Sequence, residues 1–362
     1  MQFDEIPNSI RKPGSYIEFN RKLAVRSLPQ NAQNMIIVAA MATDAVATPL
    51  LPYFVFSDAE AGAFFGKDTP AHLMTRAAIT ANPYVRLSVM GYKTTLPDYE
   101  VALLGIFAGD YQIIVIDSNT QTHLTVLRDH VDAAGHPLEQ RGCIGVTAST
   151  GTLAATSTLT TALNGGRMTC AWVKNTSTDH KLVAAAYAAV IASEEDPARP
   201  LNHLTLKGVV PNAVTDRAGR MEQEVALTKG ITPLEVGPGD KVQIVRAVTT
   251  YTKNETGAED VSLLDLTSIR TLDFVRQAIK TRWDLRFPRE KKTLRTKGKV
   301  RSETLDVLYK LEEAEIVENV EANQGGLLVE DSLFDVNRLD VTIPTDVVNG
   351  LHVLAGRIDM IL

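Results

Sequence analysis

The apolar and polar positions of this 362-residue chain fall into a regularly patterned middle and two ends of different character. Asn34 to Ala42 carries Met35, Ile36, Ile37 and Val38 in an unbroken apolar run, which reads as the first buried strand. Residues 57–82 hold a helix, with Ser57 as N-cap and Glu60 three positions later completing a capping box. Tyr84 to Met90 reads as the next strand, and Gly91 to Asp98 as a polar, turn-rich join. A strand at Ile113–Ile116, a helix at Gln121–Val131 and a strand at Gly142–Thr147 follow. Thr178 to Ala192 is an Ala-rich helix that Thr178 can cap. Lys241 to Tyr251 is a β-branched strand entered through the turn Gly237-Pro238-Gly239-Asp240. Short apolar strands alternating with helices predict a mixed or parallel α/β sheet.

The polar loop from Asn254 to Asp260 marks a domain boundary, because the pattern changes beyond it. Ile269, Leu272, Val275, Ile279 and Trp283 recur at helical spacing and make one stripe of a long helix. Leu305, Leu308, Leu311 and Ala314 make a second, started by Ser302. Two strand-like runs close the chain, Arg338–Ile343 and Leu351–Leu362, joined through Asn349-Gly350. At the other end Tyr16 to Arg21 alternates between polar and apolar positions behind Pro7, Pro13 and Gly14, an extended arm with a short strand. The fold expected is α/β (α+β overall). It comprises an N-terminal arm (1–28), an α/β domain (29–253), a C-terminal α+β domain (254–340) and a C-terminal strand arm (341–362).

Composition narrows this picture. Hydrophobic residues at 44 % and charged residues at 22 % suit a soluble globular protein with a core. The net charge of −6 argues against a surface built throughout for nucleic acid. Cys143 and Cys170 are far apart, so neither a disulfide framework nor a zinc site is expected, and a reducing cytoplasm suits assembly. The start, Met1-Gln2-Phe3-Asp4-Glu5, lacks the basic and apolar regions of a signal peptide. No run reaches the roughly 18 apolar residues of a membrane span, so any membrane role is indirect.

Several fragments imitate catalytic motifs and fail on a residue the chemistry needs. Gly62 to Lys67 is one residue short of a phosphate loop, and Asp68 stands where a Ser or Thr would hold the metal. Gly237-Pro238-Gly239 lacks a third glycine and precedes a strand. Ser149 lacks the glycines of a nucleophile elbow. His123, His130 and His136 are loosely spaced, as solvated or satisfied histidines are, and Glu194-Glu195-Asp196 beside Pro197 reads as a loop. No catalytic, metal or cofactor residues are therefore expected.

Charge distribution is more informative. Residues 282–301 hold nine basic side chains, among them Arg286, Arg289, Lys291 and Lys292, against two acids. Residues 303–331 hold nine acids, including Glu312 and Glu313, against Lys310 alone. Such blocks suit one subunit's positive face meeting another's negative face. They equally suit salt bridges inside one small domain, and a basic nucleic-acid module at 282–301 or an α/β nucleotide-binding enzyme are the competing functions. The C-terminus is the second clue. It stays apolar to its end through Leu351, Val353, Ile358, Met360 and Leu362, whereas chain ends are usually polar. An apolar strand of this kind must be covered by its own domain or by addition to a neighbour. Tyr16, Ile17 and Phe19 give the N-terminal arm the same character.

These residues also resemble a known family. Phe3 to Pro7 and Arg11 to Phe19 are similar to the start of Mu-type contractile phage tail sheath proteins. So are Pro137 to Gly142, Ala192 to Asn202, Val245 to Asn254, Ile269 to Arg276, Arg286 to Lys291 and Asp346 to Val353. The resemblance implies a non-enzymatic late protein of the virion, assembled in the host cytoplasm as sixfold rings stacked in a helical tube. Its implied partners are further copies of itself, the tail tube protein, and baseplate and tail terminator proteins, with no direct nucleic acid. It implies that terminal arms add strands to neighbouring subunits, that the C-terminal domain faces the tube, and that contraction drives the tube through the host envelope for genome ejection. The short join at Gly91 to Asp98 departs from longer members, which carry an extra outer domain inserted in the first half.

Overall fold

The computed structural model describes residues 28–31, 33–93 and 99–361. Tyr16, Ile17 and Phe19, and Leu362 at the other end, lie outside them, as does most of the join at 91–98. The strands are β1 (Asn34–Met41), β2 (Pro52–Phe54), β3 (Arg86–Lys93), β4 (Ile113–Ile116), β5 (Ile144–Ser149), β6 (Met168–Trp172), β7 (Thr232–Gly237), β8 (Lys241–Ile244), β9 (Val317–Glu318), β10 (Leu328–Asp331), β11 (Leu339–Thr342) and β12 (Asp346–Val347). The helices are α1 (Asp58–Phe65), α2 (Pro70–Ala81), α3 (Tyr99–Ile106), α4 (Gln121–Gly135), α5 (Leu153–Leu163), α6 (His180–Ala192), α7 (Arg220–Thr228), α8 (Leu266–Arg286), α9 (Leu294–Glu313) and α10 (Val320–Asn323).

Contacts group the chain into two compact units, and the division falls inside α8, between Arg276 and Gln277. The larger unit is built on an eight-stranded sheet in the order β2-β3-β1-β4-β5-β6-β7-β8. The strands from β3 across to β7 run parallel, and β2 and β8 are antiparallel edges. Its central strand shows why the run at 34–41 is apolar throughout. Met35, Ile37, Ala39 and Met41 enter the core on the α1, α2 and α6 face, while Ile36, Val38 and Ala40 enter the one beneath α3 and α4. A strand covered on both faces has no polar positions to spare, and each fully buried Ile contributes about 1.5–3 kcal/mol. A small second ladder pairs β12 with β9. In the smaller unit, α9 packs with the second half of α8, α10 and the hairpin β10–β11 through Ala278, Ile279, Val300, Val307, Leu308, Leu311 and Leu327.

Local chemistry accounts for several departures from the sequence reading. The stretch 57–82 is two helices, not one. Gly66 (φ 89°) and Asp68 (φ 59°) adopt left-handed backbone, and Thr69 and Pro70 restart the helix as N-cap and first residue. Ser57 Oγ does cap α1 through Glu60 N, but Glu60 Oε2 reaches back to Phe56 N, one residue beyond the expected box. Thr178 does not cap α6. Its hydroxyl accepts from Val210 N, and Asp179 takes the N-cap. The ladder of β8 ends at Ile244, after which the chain bonds in turn to Pro233, Leu264 and Met168, so 245–251 is not a continuous strand. Leu272 is 39 % exposed, and the buried face of α8 runs instead through Ile269, Phe274, Val275, Ala278 and Ile279. α9 starts at the Thr293 cap rather than at Ser302, with Thr296, Val300 and Thr304 extending its buried stripe and Ala314 exposed at its end. Finally, residues 351–361 form no strand among the described residues.

Candidate assembly surfaces

The first half of α8 shows how this helix attaches to the sheet. Arg270, Asp273 and Arg276 fall three residues apart on one face. Arg270 is buried and gives Nη2 to the Glu194 carbonyl at 2.6 Å, while its Nη1 has no hydrogen-bond partner among the described residues. Burial pulls its pKa down to about 10. Asp273 receives two bonds from Arg167, at 2.6 and 2.8 Å, and a third from Arg276, which also donates to the Gly135 carbonyl. Charged residues at i, i+3 and i+6 beside the apolar stripe of the helix were the available sign of this clamp, and sequence reasoning passed over it.

The two charge blocks of the smaller unit meet within one chain. Arg282, 4 % exposed, lies 2.9 Å from Glu303 and 2.7 Å from Asp306. Arg286 approaches Glu303 at 3.5 Å, Lys292 and Lys297 both pair with Asp331, and Lys299 with Glu290. The reading left open in the sequence, neutralisation inside one domain, thus accounts for much of the basic block. Glu312 is engaged too, accepting from Val320 N at 2.9 Å. Arg289, Lys291 and Glu313 are exposed and make no ion pair among the described residues. Of the candidate charges, these three remain available to another molecule.

The C-terminal segment is held at its root and bare beyond it. Asp346 and Val347 pair with Glu318 and Val317, and Val348 N donates to the Ile316 carbonyl at 3.3 Å. His352 turns inward, its Nδ1 3.0 Å from Asn202 Nδ2 and its Nε2 3.4 Å from Asp265 Oδ1. Arg246 holds that carboxylate with two bonds at 2.7 and 2.8 Å. On either side and beyond, Leu351, Val353, Leu354, Ile358, Met360 and Ile361 are 70–98 % exposed.

Elsewhere the suspected chemistry resolves into packing. At the carboxyl ends of β1 and β4, where doubly wound sheets place ligands, Asp117 is taken up by Ala40 N, Tyr92 Oη and Tyr99 Oη. Burial, together with the Asp117 charge, raises both tyrosine pKa values. Gly66 lets the backbone pass Ala42, whose Cβ would lie 2.5 Å from any added Cβ. Ser149 Oγ is buried against Thr156 Oγ1 at 2.7 Å. His123 pairs with Ser118, His136 accepts from Leu138 N, and the His130 ring packs edge-on against Phe107. Among the described residues no group of three His, Cys, Asp or Glu side chains is placed to hold a metal, and no helix is long and apolar enough to cross a membrane.

An α/β sheet body carrying a bare apolar C-terminal segment agrees with what the chain is similar to. Residues 93–250 match the phage tail sheath protein central domain, and residues 258–361 match the phage tail sheath C-terminal domain. The chain belongs to the phage tail sheath family. It is 30 % identical over 279 residues to the Mu-like prophage FluMu tail sheath protein of Haemophilus influenzae, a stretch covering 74 % of this chain and 57 % of that relative. The sheath-family fold extends to solved structures of low identity. A chain of the anti-feeding prophage baseplate matches with a TM-score of 0.67 at 14 % identity, covering 98 % of this chain and all of that one. The contracted PVC sheath complex of an extracellular contractile injection system matches at 0.65 and 15 %, covering 98 % of both chains. A sheath tail protein from Desulfitobacterium hafniense matches at 0.64 and 11 %, covering 88 % of this chain and 93 % of that one.

Proposed function

We propose that this chain is the repeating structural subunit of a contractile tail sheath, acting without catalysis or cofactor. The observation that carries this reading is the C-terminal segment, apolar, bare and without a strand partner among the described residues, on a body of sheath-family fold. Left in water, it is an open strand edge. Added to a sheet of a second copy, it gains several backbone bonds at about 0.5–1.5 kcal/mol each plus the burial of its apolar side chains. An interface of this head-to-tail kind repeats without closing and so builds a filament. Subunits in sixfold rings, stacked around a tail tube between baseplate and terminator, would store the work of contraction in their interfaces, as bistable packed surfaces do. Contraction would then drive the tube through the host envelope, with the virion tail as the protein's final place and the host cytoplasm as its site of assembly. Arg289, Lys291 and Glu313 support contacts of register between copies, salt-sensitive because they are exposed.

Electron microscopy of the purified protein tests this reading. Ordered tubes with sixfold rings are expected, and deletion of residues 351–362 should leave a folded, soluble protein that no longer polymerises. Tubes formed equally well by the deletion variant would refute strand addition. A monomer at all concentrations would refute the sheath reading itself.

A further inference from the structure

The segment that would be offered to a second copy needs a defined starting point on its own subunit. We propose that His352 is the positioning residue that fixes this root, so that the free length begins at Val353. The use of such a latch rests on the strand-addition reading; its existence does not.

Three observations meet at this residue. First, His352 is the only inward-facing side chain between Leu351 and Ile361, flanked by Leu351 and Val353 in the open. Second, its receptor is already assembled. Nδ1 faces the Asn202 amide nitrogen at 3.0 Å, so it accepts that one hydrogen bond and the ring proton sits on Nε2, which lies 3.4 Å from Asp265 Oδ1 and makes no hydrogen bond among the described residues. Two bonds from Arg246 hold Asp265 rigid and neutralised, which makes it a fixed landmark rather than a mobile carboxylate. Third, the approach leaves no slack. A Cβ on Gly350 would lie 2.8 Å from Pro200 Cγ and 2.9 Å from His352 Nε2, so the backbone passes between the proline ring and the imidazole only as glycine.

The geometric consequence is measurable. Without the latch the last tie to the body is Val348 N on the Ile316 carbonyl. Four more residues then swing freely, lengthening the reach of the segment by roughly 13–14 Å at full extension. A longer, looser tether spreads the donor segment over a larger volume and lowers its effective concentration at any one acceptor edge.

The experiment is site-directed spin labelling of dissociated subunits. Cys143 and Cys170 are buried, and burial pushes their thiols up to about 12, so a cysteine introduced at position 353 or 358 takes the nitroxide selectively. In the unaltered background the label at 353 should be slow and the label at 358 fast. His352→Ala should make 353 as fast as 358 and speed hydrogen exchange at the Val348 amide up to about tenfold, the loss of one hydrogen bond. Gly350→Ala should act alike while keeping the histidine, and His352→Gln, whose amide can accept from Asn202 and donate towards Asp265, should restore part of the restraint. Fast motion at 353 in the unaltered protein, or slow motion there in both His352→Ala and Gly350→Ala, would overturn the proposal. If the labels behave as expected but the unaltered protein stays monomeric at all concentrations, the latch stands and the sheath reading falls.

Discussion

Removing the Asp273 carboxylate tests whether the face of α8 at Arg270, Asp273 and Arg276 is a clamp or a decoration. Asp273→Ala leaves Arg167, 12 % exposed on its side chain, without its two bonds, and Arg276 without one of its partners. Gly142 and Gly135 frame the pair so closely that a Cβ on either would fall within 2.4 Å of Asp273 or Arg167, which leaves the guanidinium little room to turn to water. Breaking a buried pair by deleting one partner costs about 3–5 kcal/mol. The residual exposure of both side chains places this pair at the lower end, about 3 kcal/mol, or roughly 6–10 °C in Tm for a unit of this size. Thermal unfolding followed by circular dichroism reads that shift. A double-mutant cycle with Arg167→Met isolates the pair, and a coupling of at least about 1 kcal/mol is expected. A Tm lowered by less than about 2 °C, or strictly additive effects, would show that the pair is solvated in practice and refute the reasoning.

Three further outcomes follow from the same kind of accounting. Arg282→Met should cost about 2–3 kcal/mol in urea titration, because Glu303 and Asp306 then lose their shortest ion pair; Glu303→Gln with Asp306→Asn in the same chain should recover most of it. Burial, and next the Arg141 charge, pull the His130 pKa down to about 4. The unfolded chain therefore binds this proton first, and stability is full above about pH 6.5 and falls by up to about 3 kcal/mol as pH drops towards 4. His130→Gln should remove that component from a pH series of melts, and an unchanged series would discount it. Gly66→Ala should destabilise by about 1–3 kcal/mol through its left-handed backbone and the Ala42 contact, and a neutral result in thermal melts would contradict both.

What the sequence made legible depended on whether an element's partners lie in its own pattern. β1 was plain because both its faces are apolar, and α6 because alanines fill a packed helix without competing signals. α5 stayed hidden: its threonines have weak helical propensity, and only the fold shows Thr156 and Thr160 buried, with Thr160 bonded to the Lys229 carbonyl. The first half of α9 was masked by Gly298 and a run of cations, whose purpose is clear only when Asp331 and Glu290 are seen beside Lys297 and Lys299. Charge blocks tell which residues can attract, not which are within reach. That is why Arg286 and Lys292 proved to be occupied within the chain while Arg289 and Lys291 are not. The latch at His352 was out of reach for the same reason, since Asn202, Arg246 and Asp265 lie on three separate stretches that only folding brings to one point.

The pairing of β9 with β12 also sets a timetable for synthesis. Val317 and Glu318 leave the ribosome well before Asp346 and Val347, and α10, β10 and β11 are made in between. At roughly 5–20 residues per second, β9 waits a few seconds as an unmatched edge while the nascent chain lengthens. The larger unit therefore gains this ladder only once Asp346 and Val347 have been made, and a chain released at any codon between these strands lacks it. Synthesis through Val347 thus becomes a condition for closing the body from which residues 351–361 emerge.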